Sequence, residues 1–217
     1  MKITAEAIYQ WIYREPHHCS EDGTSMDLRK CLIRARKKRG MQRKISKSKI
    51  KERVSIHARP DNINKRVEFG HYEGDLIFNE VSQSMNVLTL TERTTRYTIM
   101  IRNDNKRSET VIDALIRYVK ETGIVIKSIT FDNGSEFTEH LKLKAIGILT
   151  YFCDPGSPWQ KGSCENLNGA SRRYLPFDMP AHIITDSLVK IANEAINNIP
   201  REILRLRPVI FQTKMLR

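Results

Sequence analysis

Tyr72-Glu73-Gly74-Asp75-Leu76-Ile77-Phe78 reads as a buried strand interrupted by one carboxylate, Asp75. A buried, unpaired carboxylate is costly, so Asp75 calls for a partner or a cation. Outward from this stretch, residues 86–91 make a second strand, and residues 96–102, alternating apolar and polar, a third. Ser108 caps a helix whose Val111, Ile112, Leu115, Ile116 and Val119 share one face, and Gly123 ends it. Residues 124–131 are a β-branched strand that runs into the turn Asp132-Asn133-Gly134. A short helix over about 136–145 and a strand over 148–152 follow. The loop Asp154-Pro155-Gly156-Ser157-Pro158 leads into a helix reaching about Tyr174, and residues 183–196 form a last amphipathic helix. Three leading strands predict an antiparallel meander; the later alternation predicts parallel strands added through helical crossovers. The fold class is α/β, a mixed sheet flanked by helices.

The chain has 217 residues, enough for one well-buried domain and an appendage. Its charge is lopsided: 37 Lys and Arg against 25 Asp and Glu, a net +12. Such an excess favours a polyanionic partner, because each neutralised phosphate releases condensed counterions. Nucleic acid leads over a membrane surface, since no apolar run approaches the roughly 20 residues that span a bilayer. No signal-peptide core follows Met1, which sets the expectation of a cytoplasmic, nucleoid-associated protein. Cys19, Cys31, Cys153 and Cys164 form no CxxC pair, and reduced thiols account for them better than a zinc site at His17-His18-Cys19.

Residues 4–14 read as a short helix with an Ile8, Trp11, Ile12 stripe, stopped by Pro16. Residues 29–53 then hold thirteen Lys and Arg against one acid, Glu52. Arg36, Lys37, Lys38 and Arg39 form the densest cluster, read as an arm along DNA phosphates. The expected division is 1–60 for this appendage and 61–217 for the folded core.

Asp132 closes the strand that precedes it, and the carboxyl ends of strands are where open α/β sheets bind ligands. Its Asp-Asn-Gly context is equally a turn sequence. Glu165 lies on the helix after the Pro/Gly loop, where alone it reads as a solvated acid. Hard cations such as Mg²⁺ are held by a few carboxylates and substrate phosphates. One acid on a strand, one at a neighbouring strand end and one on a covering helix could converge on a two-metal centre for phosphodiester displacement.

Three segments carry a resemblance: residues 70–77, residues 130–137 (Thr-Phe-Asp-Asn-Gly-Ser-Glu-Phe) and the stretch Ser157-Pro158-Trp159-Gln160-Lys161-Gly162 with Glu165-Asn166 and Asn168-Gly169. They resemble the integrase-core transposases of bacterial insertion sequences, above all the insertion-sequence-thirty group, over about residues 3–211. The resemblance implies an RNase H-like fold in which Asp75, Asp132 and Glu165 are a DDE triad holding two Mg²⁺ (or Mn²⁺) ions. It implies DNA cleavage at transposon ends and strand transfer to target DNA, by at least a homodimer on paired ends. Arg172, two helical turns after Glu165, matches a basic residue that binds an end phosphate; Lys161, Asn168 and Arg173 are further candidates for DNA contact. Trp159 is expected to pack at the helix start rather than stack on a base, and His71 to be structural rather than a ligand to water or phosphate. Residues 3–13 resemble only the last helix of the group's end-reading helix-turn-helix. The alternative is therefore a non-catalytic DNA-binding relic with the same fold.

Overall fold

The structure is a computed structural model and describes residues 5–19, 25–31, 50–78, 85–201 and 207–208. The chain divides into two compact units, Met1–Ile45 and Ser46–Arg217. The first contains helix α1 (Ala5–Arg14) and a small antiparallel pair, β1 (His17–Cys19) with β2 (Ser25–Asp27). Helix α1 ends before Pro16, as expected, and its Ile8 and Trp11 stay about half exposed. The Arg36 to Arg39 cluster lies outside the described residues.

In the second unit a single turn, α2 (Asp61–Asn64), precedes strands β3 (His71–Phe78), β4 (Asn86–Glu92) and β5 (Thr98–Asn103). These three form the expected antiparallel meander. Helix α3 (Ser108–Thr122) crosses over to β6 (Ser128–Phe131), which pairs parallel to β3. A 3-10 turn (Ser135–Phe137) and the short α4 (Leu141–Lys144) lead to β7 (Leu149–Phe152), parallel to β6. The sheet order is β5-β4-β3-β6-β7, which puts β3 in the centre. A 3-10 turn (Pro158–Lys161) opens α5 (Gly162–Ser171), then α6 (Asp186–Asn198) follows, with Thr185 Oγ1 accepting from the Leu188 amide as its cap. A two-residue pair, β8 (Pro200–Arg201) with β9 (Arg207–Pro208), closes the described chain. Among the described residues no helix is long and apolar enough to cross a membrane. Cys153 and Cys164 are buried and Cys19 exposed, all as free thiols.

Strand alternation divides the sheet between two cores. Tyr72, Leu76, Leu88, Leu90, Ile99, Ile129 and Phe131 pack against Val111, Ile112 and Leu115 of α3. Ile77, Val87 and Met100 point the other way, against Leu167 of α5 and Val189, Ala192 and Ile196 of α6. Glu73 and Asp75 share the parity of Ile77, so the sheet face that receives α5 also carries the acids.

Some boundaries move from the expected ones. The strand expected over 124–131 begins only at Ser128, because its partner β3 starts at His71, the residue opposite Ser128. The third strand begins at Thr98 rather than 96, because residues 93–97 are a tight turn. The Glu92 carboxylate gathers the Thr94 amide and the Thr95 hydroxyl there, and Arg96 sits at φ 64°. The helix expected over 136–145 breaks into a 3-10 turn and one α turn. Residues 50–60, grouped above with the appendage, lie on the core: the Phe152 amide donates to the Val54 carbonyl, Arg53 to the Cys153 carbonyl, and Ile56 is buried.

Gly74 is where backbone and core come closest. A Cβ there would lie 2.5 Å from Phe131 Cε1 and 2.8 Å from its Cδ1. Gly74→Ala should therefore overpack the core beside the acids and cost about 1–3 kcal/mol in urea denaturation. An unchanged midpoint would show that Phe131 moves freely, against this packing.

Candidate active site

The β3–β6 register sets the two aspartates side by side. Glu73 pairs with Thr130, and both Asp75 and Asp132 stand two residues beyond that pair. Asp132 lies just past the end of β6, where its Oδ1 accepts from the Gly134 amide 3.0 Å away. The turn reading of Asp-Asn-Gly holds: the turn stops the strand and leaves the second carboxylate oxygen facing the neighbouring strand.

That oxygen meets Lys161. The Lys161 Nζ donates to Asp132 Oδ2 at 3.1 Å and to the Gly74 carbonyl at 3.0 Å, and it lies 3.3 Å from Asp75 Oδ1. Burial draws the Lys161 ammonium down, but Asp75 and then Asp132 outweigh it and hold its pKa above the usual lysine range. The other Asp75 oxygen accepts from Asn168 Nδ2 at 2.7 Å, and Asn168 Oδ1 in turn accepts from the Thr89 hydroxyl. The partner demanded by an interior carboxylate is thus an ammonium and an amide, both supplied by the segment that forms α5.

Glu165 lies in the first turn of α5 and is exposed. It stands four residues after Lys161, the N-cap of α5, and three before Asn168, with which it shares a helix face. Its flanking neighbours touch Asp75, while Glu165 itself stays open to solvent. Among the described residues no three carboxylate, histidine or cysteine side chains close on one point as metal ligands. Asp75 and Asp132 are brought together; Glu165 is brought to the same face without closing on them.

Other expected site residues sort as follows. Lys161, expected as a DNA contact, is only 7% exposed, with its ammonium directed at the acids. Arg172 caps the end of α5 with its guanidinium 3.5 Å over the Phe177 ring, and Arg173 is exposed. Trp159 does not pack at the helix start: it is 72% exposed, because the Pro158–Lys161 turn directs Lys161 inward and leaves the indole outside. His71 is buried between Ser128 Oγ at 2.8 Å and Glu68 Oε2 at 3.2 Å, the structural role expected for it.

Two acids escaped the sequence reading. Glu73 is fully buried, paired to Arg93 at 2.8 Å, and its other oxygen accepts from the Ser163 amide at 3.1 Å and the Cys164 amide at 3.4 Å. A carboxylate of β3 thereby takes up free N–H groups at the start of α5, where the helix dipole also favours negative charge. Glu136 is half-buried over Gly134; burial, then Asp132 and Asp75, push its carboxyl above the ordinary range. The only sequence signal for either was its place inside a motif, two residues before Asp75 or four after Asp132.

Residues 66–158 match the integrase core domain family. The chain is 33% identical over 211 residues to the transposase of insertion sequence element IS1086 from Cupriavidus metallidurans, covering 94% of this chain and 60% of that protein. It is 31% identical over 210 residues to transposase InsI of IS30A from Escherichia coli K12, covering 95% and 54%. The resemblance to insertion-sequence-thirty transposases read from the motifs holds, and the fold is the integrase core, RNase H-like in its mixed sheet and flanking helices. A chain of the simian T-cell lymphotropic virus intasome in complex with PP2A regulatory subunit B56 gamma superposes with a TM-score of 0.49 at 17% identity, over 59% of this chain and 48% of that one. The present chain spans little more than half the length of the two transposases it matches.

Removing one partner of a buried ion pair strands the other. Glu73→Ala should therefore cost about 3–5 kcal/mol in urea denaturation, and Glu73→Leu with Arg93→Met should recover part of that loss. A single-variant cost below about 1 kcal/mol would show that Glu73 does not hold α5 on the sheet.

Proposed function

We propose that this chain is the catalytic part of a DNA transposase that cleaves transposon ends and transfers the freed strand to target DNA. The observation that carries the reading is the convergence of Asp75 and Asp132, from adjacent parallel strands, on a single positive charge. An ammonium held by both carboxylates stands in for a cation, so the donor set fits a hard divalent ion such as Mg²⁺ or Mn²⁺. Two such ions, when bound, would supply activation of the attacking oxygen and stabilisation of the leaving one.

The roles of the residues follow. Asp75 and Asp132 are the inner ligands, with Asn168 fixing the orientation of one Asp75 oxygen. Glu165, exposed on the same helix face, completes the triad when its side chain turns towards them. Water oxygen attacks phosphorus, the bond from phosphorus to the 3′ oxygen breaks, and that oxygen leaves as a hydroxyl carrying a proton. The 3′-hydroxyl then attacks a target phosphodiester in the same way. Nothing requires a covalent protein intermediate. Arg172 and Arg173 at the end of α5, the exposed Trp159 and the cluster Arg36, Lys37, Lys38, Arg39 would contact DNA, with two or more copies of the protein on paired ends.

A second reading, a DNA-binding relic without chemistry, draws on one observation: Glu165 stands open while Lys161 fills the space between the aspartates.

Both readings meet the same experiment, Mg²⁺- or Mn²⁺-dependent nicking of supercoiled plasmid. Asp75→Asn, Asp132→Asn and Glu165→Gln should each lower nicking by about a hundredfold or more while DNA binding persists. Binding without nicking by the wild type, where a related transposase cuts, would establish the relic instead. Trp159→Ala should weaken single-stranded DNA binding by about 1–3 kcal/mol through a lost stacking contact, read from oligonucleotide titrations. Unchanged affinity would remove Trp159 from the interface.

A further inference from the structure

Among the described lysines, Lys161 is the one that is buried. The chain carries a net +12, yet this ammonium is buried among acceptors. An ammonium has three protons. Two are donated to the Gly74 carbonyl and Asp132 Oδ2, at 3.0 and 3.1 Å, and the charge is also paired with Asp75 Oδ1 at 3.3 Å. At 7% exposure the side chain is closed off from a phosphate while these contacts stand. The placement is built in by the backbone, since Lys161 ends the 3-10 turn and caps α5, with φ −118° and ψ 42°. Glu73 accepts from the two amides that follow Gly162, so the stem of Lys161 is anchored within two residues of the tether.

We infer that Lys161 is an internal counter-ion of the active site, holding Asp75 and Asp132 together in the ion-free protein and competing with divalent cations for the same oxygens. Loading the site displaces the ammonium, and only the displaced side chain can reach DNA. This rests on the reading of the two aspartates as metal ligands. It reconciles the buried position of Lys161 with a DNA contact at the same residue: the contact is conditional on the metal. The competition also has a consequence for stability. A residue that substitutes for the ion makes the ion-free fold viable, because two neighbouring carboxylates would otherwise repel each other without a compensating charge.

The test is Mn²⁺ binding to the intact protein, followed by the electron-spin resonance of free Mn²⁺, for wild type, Lys161→Met and Asp75→Asn. Lys161→Met should bind about tenfold more tightly than wild type, since linkage makes removal of a competitor appear as affinity. Asp75→Asn should lose most binding. Unchanged or weaker binding by Lys161→Met, with binding lost in Asp75→Asn, would overturn the competition and leave the metal site standing. Absence of Mn²⁺ binding in both wild type and Lys161→Met would overturn both. A second measurement needs no variant: the slowly exchanging Lys161 ammonium resonance of the wild type, followed by NMR. It should shift and broaden as Mg²⁺ is added and not respond to an equal ionic strength of Na⁺. A resonance unmoved by saturating Mg²⁺ would equally overturn the proposal.

Discussion

A buried carboxylate on the central strand fastens the helix of the third acid to the strand of the first. Glu73 accepts from the amides of Ser163 and Cys164 and is paired with Arg93, all out of solvent. Burial draws the Arg93 guanidinium down to about 10 against the pull of Glu73, so the pair is costly to build and more costly to half-remove. Its effect is positional. With the start of α5 fixed to β3, the side chains of Lys161 and Asn168 meet the aspartates Asp75 and Asp132.

The same strand satisfies opposite demands on its two faces. Tyr72, Gly74 and Leu76 serve the core under α3, and Gly74 lacks a side chain because the Phe131 ring fills that space. Glu73, Asp75 and Ile77 face α5 and α6. A one-residue slip of β3 would bury both acids under α3 and turn Tyr72 and Leu76 towards the site. The geometry of the acidic pair is therefore a property of sheet register, stabilised by the whole core, rather than of a mobile loop. Electrostatics then works at short range inside it: two aspartates flank one ammonium, and the half-buried Glu136 feels both of them, a region that favours a cation of higher charge.

Much of this was legible in the sequence. Buried apolar runs located β3 and β4, alternation of apolar and polar residues located β5, and periodicity of 3.6 located α3 and α6; the order of strands and helices gave meander and crossovers. Asp75 stood out because a carboxylate contradicts its apolar surroundings, and Asp132 because it ends a strand. Glu73 did not stand out, although it sits two residues from Asp75, because its partners Arg93, Ser163 and Cys164 come from 20 to 91 residues away and leave no periodic trace. Lys161 read as one more basic residue in a basic chain. Trp159 read as core because large aromatics usually are; only the path of the 3-10 turn shows the indole left outside. The strand before Asp132 is four residues shorter than its composition suggests, since β-branched Ile124 to Ile126 have the composition of a strand but no partner opposite them in β3.

The central claim is that Asp75 and Asp132 form the floor of a divalent-cation site. The most direct measurement is anomalous scattering from crystals of the protein grown or soaked with Mn²⁺. The account predicts a manganese peak bounded by Asp75 and Asp132, with the Lys161 side chain displaced from between them. Crystals that take up Mn²⁺ elsewhere, while Lys161 still bridges the two aspartates, would contradict it.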